Sequence, residues 1–292
     1  MTIRNTTTQT VKPVLVFAHA NGIPSGSYKK YLAEFSGQYM LAPIPVLGLG
    51  RWPVGDNWSG LVDELEAFIE PLAKPVLGMG HSMGAVVMFM LASRHPDWFS
   101  NVVMLDPPLV NGWARPLFVL AHLLGQTDRI TPAGKSLSRR HHWPDPEAVQ
   151  NYFNGRGMFR HFDPECLQDY INSAVIKGED GWDLLIPPLL EVEKFRQTPR
   201  NLHRFKRLQV PSLLVNGSRT ADGFIAGALR HVRQHGMTHA QAPGSHMFPL
   251  ENPIDTAAVV SAWLMHKPES KSADAASAHS QDKTLQGDHH VA

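Results

Sequence analysis

Residues 75–84 read Pro-Val-Leu-Gly-Met-Gly-His-Ser-Met-Gly, and this stretch decides the fold. Its first half is apolar and predicts a buried strand, while the apolar residues 83–93 predict a helix. Between them, the pattern Gly-x-Ser-x-Gly predicts a sharp turn that holds Ser82 in a strained backbone conformation and presents its hydroxyl above the sheet edge. Ser82 is therefore the candidate nucleophile. The open alternative is a glycine-rich turn without chemistry.

On both sides of this turn, short apolar runs alternate with helical patterns. Such alternation is typical of a parallel sheet wrapped by helices. The predicted fold class is therefore α/β, with a mostly parallel central sheet flanked by helices. The predicted strands span residues 14–18, 40–44, 75–79, 101–105, 210–215 and 238–241. The main predicted helices span residues 27–35, 58–72, 83–93 and 253–266.

The alternation stops after Asp106. Residues 107–205 contain helical patterns and many prolines but no comparable strand, so they predict an inserted, mainly helical cap. The core then comprises residues 11–106 and 206–266. Residues 267–292 are rich in Ser, Ala, Asp, Lys and His and predict a disordered tail.

The composition limits the function classes. The 292 residues carry 27 basic and 26 acidic side chains, and the resulting net charge of +1 offers no field for nucleic acid or an anionic membrane. No run approaches the roughly 18–20 apolar residues of a membrane-spanning helix, and the first residues lack the apolar run of a signal peptide. The single cysteine, Cys166, excludes an intramolecular disulfide and suits a reducing compartment. We therefore expect a cytoplasmic protein.

The 16 histidines show no evident metal-ligand pattern. A metal site would be indicated by two histidines one helical turn apart together with a carboxylate. The pairs His141-His142 and His289-His290 are adjacent, so their side chains would point in different directions on a helix. We predict no metal site and no cofactor.

A serine needs a base to become a nucleophile at neutral pH. His246 is the candidate, because it lies between the last predicted strand and the last predicted helix, at the sheet edge where Ser82 emerges. The chain order Ser, acid, His leaves two carboxylates to orient it. Asp106 ends the strand after the nucleophile helix, and Asp222 lies in the loop after the next core strand. The one that is not the acid would be structural, Asp106 as a strand-end cap or Asp222 as a helix N-cap.

An acyl-transfer site also requires two backbone N–H groups that face the developing oxyanion. The first predicted donor is Met83, directly after the nucleophile. The second is Asn21, in the loop His19-Ala20-Asn21-Gly22, where glycine allows a tight turn. A plain turn without this role is the alternative.

Four segments together resemble the α/β-hydrolase superfamily, and in particular its cap-bearing serine hydrolases and esterases, over about residues 11–266. These segments are 17–22, 48–51, 80–84 and 244–246. The resemblance implies an acid most commonly in the loop of Asp222, at the nearer position that holds Thr220 here. Some members carry the acid at the location of Asp106 instead. We favour Asp106 as the acid, with Asp222 as the alternative.

The resemblance implies hydrolysis of a carboxylic ester, thioester or lactone through an acyl-enzyme on Ser82, with a small-molecule acyl substrate. The serine argues against haloalkane dehalogenases and epoxide hydrolases, whose nucleophile is an aspartate. One alternative is a carbon–carbon bond hydrolase or a cofactor-free haloperoxidase on the same triad. Another is a non-catalytic ligand-binding protein of this fold. The sequence makes no prediction of the oligomeric state.

Overall fold

The structure, a computed structural model, describes residues 12–266, so the tail predicted to be disordered at 267–292 lies outside the described residues. Within that range the chain forms nine strands, numbered in chain order. They are β1 (Val14–Ala18), β2 (Met40–Pro43), β3 (Val76–His81), β4 (Phe99–Leu105), β5 (His142–Trp143), β6 (Val175–Lys177), β7 (Trp182–Leu184), β8 (Ser212–Gly217) and β9 (Thr238–Ala242).

Six of these strands form the central sheet, in the order β2-β1-β3-β4-β8-β9. Every neighbouring pair in that sheet is parallel, so the predicted α/β fold is confirmed. β1 and β3 are buried along their whole length, as expected for strands covered on both faces. The carboxyl ends of β3, β4 and β8 lie side by side, which brings the loops after them to one edge of the sheet.

Twelve α-helices lie within the described residues, also numbered in chain order. They are α1 (Lys29–Ala33), α2 (Ser59–Ile69), α3 (Met83–Arg94), α4 (Ala114–Leu123), α5 (Thr127–Ile130), α6 (Ala133–Leu137), α7 (Pro146–Phe153), α8 (Pro164–Ala174), α9 (Pro188–Arg196), α10 (Asp222–His235), α11 (Phe248–Glu251) and α12 (Pro253–Met265). Short 3₁₀ turns occur at Ser25–Tyr28, Asp56–Trp58, Pro96–Trp98, Gly157–His161 and Leu202–Arg204.

Helices cover both faces of the sheet and create two apolar clusters. One cluster joins α1 and α12 to Leu15 and Phe17 of β1. The other joins α2 and α3 to Val14 and Val16, which face the opposite side because side chains alternate along a strand. Ten of the twelve residues of α3 are buried, which explains the almost continuous apolar sequence after the turn at Ser82.

The chain between β4 and β8, here called the insertion, is mainly helical. It contains α4 to α9 and a small sheet in which β5 and β6 pair antiparallel with β7. This small sheet was not predicted, because strands of two or three residues carry no readable periodicity. The buried Trp143, Phe153 and Tyr170 of the insertion belong to the same apolar cluster as Leu15 and Phe17. The insertion therefore packs directly on the core.

The described residues contain neither a membrane-spanning helix nor a cluster of metal ligands. No helix within residues 12–266 has the length and hydropathy needed to cross a bilayer. In the same range, no three His, Cys, Asp or Glu side chains are grouped as metal ligands would be. Cys166 is buried, and burial raises the pKa of its thiol to about 12, so the thiol is protonated at neutral pH.

Helix α10 buries two histidines, His231 and His235, although their burial was not predicted. His231 and His235 are one helical turn apart, and their ring centroids are separated by 4.3 Å. Both rings meet Phe89 of α3 edge-on, with centroid distances of 4.6 and 4.8 Å. Burial lowers the pKa of His231 to about 3, so its imidazole is neutral in the folded protein at neutral pH.

We expect the burial of His231 to make the protein sensitive to acid. An ordinary histidine titrates near 6.5 and folded His231 near 3, so the unfolded state binds more protons as the pH falls between these values. The free energy of unfolding should therefore decrease below about pH 6.5. His231→Leu should make that decrease shallower by up to about 1.4 kcal/mol per pH unit, measured by urea unfolding from neutral pH to about pH 4.

His141→Leu is the matched control, because it exchanges the same side chains at an exposed position. This variant should lose stability with falling pH as steeply as the wild type. If His231→Leu also shows the wild-type slope, the burial of His231 does not contribute to the acid response.

Candidate active site

Ser82 occupies the turn between β3 and α3. Its φ of 52° and ψ of −116° lie in a region that non-glycine residues rarely adopt. Two backbone hydrogen bonds fix the turn, from the Ser82 N–H to the Leu105 carbonyl (2.8 Å) and from the Gly84 N–H to the His19 carbonyl (3.1 Å). A Cβ atom on Gly84 would overlap the Ala18 carbonyl, so glycine allows α3 to approach β1 closely.

Ser82, His246 and Asp106 form a continuous hydrogen-bonded row at the carboxyl edge of the sheet. His246 lies in the loop between β9 and α11, and its Nε2 is 3.0 Å from Ser82 Oγ. Its Nδ1 is 2.6 Å from Oδ2 of Asp106, which directly follows β4. Ser82 is 9% exposed and the His246 side chain 39% exposed, so the row is open to solvent at its His246 end.

Asp106 is fully buried and is surrounded by hydrogen-bond donors. Asn216 Nδ2 donates to its Oδ1 at 2.7 Å, and the Thr220 hydroxyl lies 3.1 Å from both carboxylate oxygens. Burial by itself raises the pKa of Asp106, but the hydrogen bonds from His246 and Asn216 and the charge of His246 outweigh it. The pKa of Asp106 therefore lies below its ordinary value, and the carboxylate is ionised at neutral pH.

Asp222, the alternative acid, is not part of this row. It is exposed at the first residue of α10 and forms no ion pair with His246, whose carboxylate partner within residues 12–266 is Asp106. Its interpretation as a helix N-cap is wrong by one position, since Ala221 is the N-cap residue of α10. Thr220, which stands where the resemblance most commonly implies an acid, donates a hydrogen bond to Asp106 instead.

Met83 and Asn21, the two predicted oxyanion donors, have backbone N–H groups without a partner among the residues that the structure describes. Met83 is the first residue of α3, so its N–H has no carbonyl one turn earlier in the helix. Asn21 lies in a turn closed by the hydrogen bond from the Ile23 N–H to the Ala20 carbonyl (3.1 Å). Gly22 follows with a φ of 74°, as the third residue of a type II turn requires.

A second hydrogen-bonded row connects Tyr28 and His81 to the His246 loop. His81 Nε2 donates to the His246 carbonyl at 2.8 Å, because a carbonyl can only accept. Its Nδ1 therefore accepts, and the Tyr28 hydroxyl donates to it at 2.7 Å. The Ala20 N–H lies 3.4 Å from the same Tyr28 oxygen. Burial lowers the pKa of His81 to about 3, which keeps the ring neutral with one donor and one acceptor nitrogen.

Four of these contacting residues were not predicted as part of the site: Tyr28, His81, Asn216 and Thr220. Asn216 and His81 carried a usable signal, because each is a polar residue at the end of an apolar strand, and a buried polar group needs a partner. Thr220 and Tyr28 carried none, since their partners come from distant parts of the chain. Their roles depend on tertiary contacts alone.

The insertion contacts the turn at Asn21 directly. Asn21 Nδ2 donates to the Glu191 carbonyl of α9 at 3.0 Å. The buried Glu191 carboxylate forms an ion pair with Arg139 at 2.6 Å. One turn along α9, the buried Lys194 donates from Nζ to the Leu47 carbonyl at 2.7 Å, and burial lowers the pKa of this amine to about 8. Helix α9 thus ties the insertion to the loops around Ser82.

Comparison with known sequences agrees with this architecture. The sequence model described as the alpha/beta hydrolase family matches residues 15–259. Because the match covers most of the chain, the protein belongs to the alpha/beta hydrolase family.

Curated relatives match parts of the chain. Lipase LipV of Mycobacterium tuberculosis is 25% identical over 165 residues, which are 54% of this chain and 58% of that protein. The type I acyl-CoA thioesterase mpaH of Penicillium roqueforti is 30% identical over 105 residues, which are 34% of this chain and 21% of that protein. The chain thus spans 58% of the first of these relatives and 21% of the second.

Solved structures share the fold over nearly the whole chain. E-2-(acetamidomethylene)succinate hydrolase superposes with a TM-score of 0.70 at 19% identity, covering 87% of this chain and 92% of that one. The thioesterase domain from the curacin biosynthetic pathway gives a TM-score of 0.64 at 17% identity, covering 85% of this chain and 90% of that one. At these identities, the likeness shows the α/β-hydrolase fold.

We expect Tyr28→Phe to destabilise the protein, because it leaves the buried His81 Nδ1 without a donor. The free energy of unfolding should fall by about 1–3 kcal/mol, the cost of one unsatisfied buried polar group, as measured by chemical denaturation. Tyr31→Phe is the matched control, since the equally buried Tyr31 hydroxyl contacts the Met79 sulfur, a weak acceptor, at 3.1 Å. Equal losses in the two variants would contradict a specific role for the hydrogen bond to His81.

Proposed function

We propose that this chain is a serine hydrolase that cleaves a carboxylic ester, thioester or lactone through an acyl-enzyme on Ser82. The observation that carries the proposal is the pair of hydrogen bonds on His246, from Nε2 to Ser82 Oγ (3.0 Å) and from Nδ1 to Asp106 (2.6 Å). They use both ring nitrogens, so Asp106 orients the imidazole and Nε2 is placed to take the Ser82 proton.

In the first half of the reaction, Ser82 Oγ forms a bond to the acyl carbon while His246 Nε2 takes the hydroxyl proton. The carbonyl oxygen becomes negatively charged and accepts hydrogen bonds from the N–H groups of Met83 and Asn21, which have no partner within residues 12–266. Each such donor typically contributes about 3–4 kcal/mol to the stabilisation of the transition state. When the tetrahedral intermediate collapses, the bond to the alcohol or thiol breaks, and His246 returns the proton to that leaving group.

In the second half, a water molecule attacks the acyl carbon while His246 Nε2 takes one of its protons. The bond from Ser82 Oγ to the acyl carbon then breaks, Ser82 regains its proton from His246, and the carboxylic acid leaves. Asp106 stays ionised throughout and stabilises the imidazolium that forms in each half. Its hydrogen bonds from Asn216 and Thr220 keep this carboxylate in place while His246 changes charge.

Two matching proteins support an acyl group bound to oxygen or to sulfur as the substrate, since one is named a lipase and the other an acyl-CoA thioesterase. We assign residues 107–205 as a cap that shapes the acyl pocket, because α9 contacts the Asn21 turn. Measuring kcat/KM for matched esters and thioesters of increasing acyl length would show which of the two bonds the enzyme prefers to cleave. A carbon–carbon hydrolase or a haloperoxidase would be recognised by its own substrates, and a ligand-binding protein by the absence of an activated serine.

We expect Ser82→Ala to abolish turnover and leave the fold intact. With the nucleophile removed, kcat for p-nitrophenyl butyrate should fall on the order of 10⁶-fold. A fluorophosphonate probe should label the wild type at Ser82, as located by peptide mapping, and should not label the variant. Ser245→Ala is the control, because this neighbouring serine binds Glu251 instead of a histidine. Turnover by Ser82→Ala, or labelling of another serine, would refute the proposal.

The assignment of Asp106 as the acid predicts unequal effects of two substitutions. Asp106→Asn should lower kcat by about 10⁴-fold, because the amide no longer stabilises the imidazolium or fixes the right tautomer. Asp222→Asn should retain wild-type kcat, since Asp222 is exposed and forms no ion pair with His246. Thermal unfolding of both variants checks that the fold survives. A larger loss of kcat in Asp222→Asn than in Asp106→Asn would identify Asp222 as the acid.

A further inference from the structure

Helix α4 turns an apolar stripe towards solvent. Trp113, Leu117, Leu120 and Leu124 follow the i, i+4, i+7, i+11 spacing that places side chains on one face of a helix. Together with Leu123, these side chains are between 54% and 76% exposed. A surface helix ordinarily presents polar residues to water, so the polarity of this helix is reversed.

The opposite stripe of α4 packs on the protein. Arg115 Nε donates to the Arg200 carbonyl at 2.8 Å, and His122 Nδ1 donates to the Arg196 carbonyl at 3.2 Å. Between them lies Phe118, the buried residue of this helix. Rolling the helix to bury its leucines would break both hydrogen bonds and expose Phe118. The outward apolar stripe is therefore fixed by the inner contacts.

Unpaired cations lie on the elements that adjoin α4, since α5 contacts α4 and α6 contacts α5. Arg129 of α5 and Lys135 of α6 are exposed and form no ion pair within the described residues. Arg230 of α10, also exposed and without an ion pair in that range, packs over Gly112, where an added Cβ would lie 2.9 Å from its Nε. Gly112 directly precedes Trp113, so this guanidinium lies at the start of the stripe.

Within residues 113–137, no free carboxylate offsets Arg129 and Lys135. The one acid between residues 113 and 137 is Asp128, which is bound to Arg196 with an Oδ1–Nε distance of 2.8 Å. The net charge of +1 is an average over the whole chain and does not report such a local excess. Residues 113–137, which include α4, are therefore both apolar and positively charged.

Helix α10 connects the proposed triad with the start of the stripe. The Phe224 ring, in the first turn of α10, lies 6.2 Å from the His246 ring and is about half exposed. One turn further along α10, the Gly227 carbonyl accepts a hydrogen bond from Asn111 Nδ2 at 2.9 Å. Asn111 is two residues before Trp113. Exposed apolar side chains thus lie on the elements that lead from His246 to α4.

We propose that the α4 face, defined as this apolar stripe and the cations Arg129, Lys135 and Arg230, docks on an anionic lipid surface. Its tryptophan and leucines enter the boundary between head groups and acyl chains, and its cations pair with lipid phosphates. Docking brings the proposed active site to a surface that holds acyl groups. That last consequence rests on the proposed hydrolase activity, whereas the docking itself does not.

Other occupants fit the α4 face less well. In a two-fold dimer the face would meet its own copy, which would set unpaired cations of one protomer against those of the other. Residues 1–11 and 267–292 contain few large apolar side chains with which to cover the stripe. An anionic lipid surface supplies both the apolar volume and the counter-charge that this face requires.

Vesicle flotation of the full-length protein tests this proposal. The wild type should float with vesicles of phosphatidylcholine and phosphatidylglycerol, and much less with vesicles of phosphatidylcholine alone. Leu117→Ser/Leu123→Ser should weaken partitioning by roughly tenfold or more, because two apolar side chains no longer enter the bilayer. Arg129→Gln/Lys135→Gln should weaken binding and reduce its dependence on anionic lipid and on salt.

Ile254→Ser/Met265→Ser on α12 is the matched control, since these side chains are similarly exposed, at 55% and 67%. Loss of flotation in the leucine variant but not in this control supports the proposal. A wild type that does not float, or a leucine variant that floats like the wild type, overturns it. A wild-type dimer that Leu117→Ser/Leu123→Ser converts to monomers in light scattering also overturns it, because the α4 face would then be a self-association surface.

Hydrolysis of p-nitrophenyl butyrate without vesicles separates the two proposals. The leucine and cation variants should retain wild-type turnover on this soluble ester, because none of the altered side chains contacts Ser82, His246 or Asp106. A wild type that floats but hydrolyses no ester or thioester refutes the hydrolase and leaves lipid docking intact. A wild type that hydrolyses the ester but does not float refutes lipid docking and leaves the hydrolase proposal intact.

Discussion

Burying the Asp106 carboxylate is possible only if the protein supplies hydrogen-bond donors to it, and three side chains do so. Asn216 and Thr220 come from β8 and the loop after it, and His246 comes from the loop after β9. These segments meet because the parallel strands lie in the order β4-β8-β9, which sets their carboxyl ends side by side. The geometry of the site therefore depends on the strand order of the sheet. A different strand order would leave the buried Asp106 charge unpaired.

Most strands and helices of the core could be predicted, because each is indicated by a hydrophobic pattern among neighbouring residues. The apolar run before Ser82 identified β3, although the strand continues through Gly80 and His81 because these residues still pair with Met104 and Leu105 of β4. The acid could not be decided from spacing, because the contact between Asp106 and His246 joins residues 140 positions apart. The small sheet of β5, β6 and β7 was missed for a different reason, since its strands are too short to show alternation.

The insertion has two sides with unlike chemistry. Its inner side shares an apolar cluster with β1 and, through Glu191 and Lys194 of α9, contacts the loops around Ser82. Its outer side, along α4, leaves leucines in water while Arg115 and His122 hold the helix in place. Composition alone cannot separate these cases, because tryptophans and leucines occur on both sides. Trp143 is fully buried and Trp113 is largely exposed, and tertiary contacts alone account for that difference.

The row from the Ala20 amide through Tyr28 and His81 to the His246 carbonyl crosses three separate segments of the chain. If the His246 loop opened by itself, the buried Nε2 of His81 would lose its hydrogen-bond acceptor. If the Ala20 turn opened by itself, the Tyr28 hydroxyl would lose the Ala20 N–H as a partner. Local unfolding of one segment should therefore carry the others, so that their amides exchange with solvent as one cooperative unit. A molecule in solution should then keep the Ala20 turn, His81 and the His246 loop in place together or lose all three together.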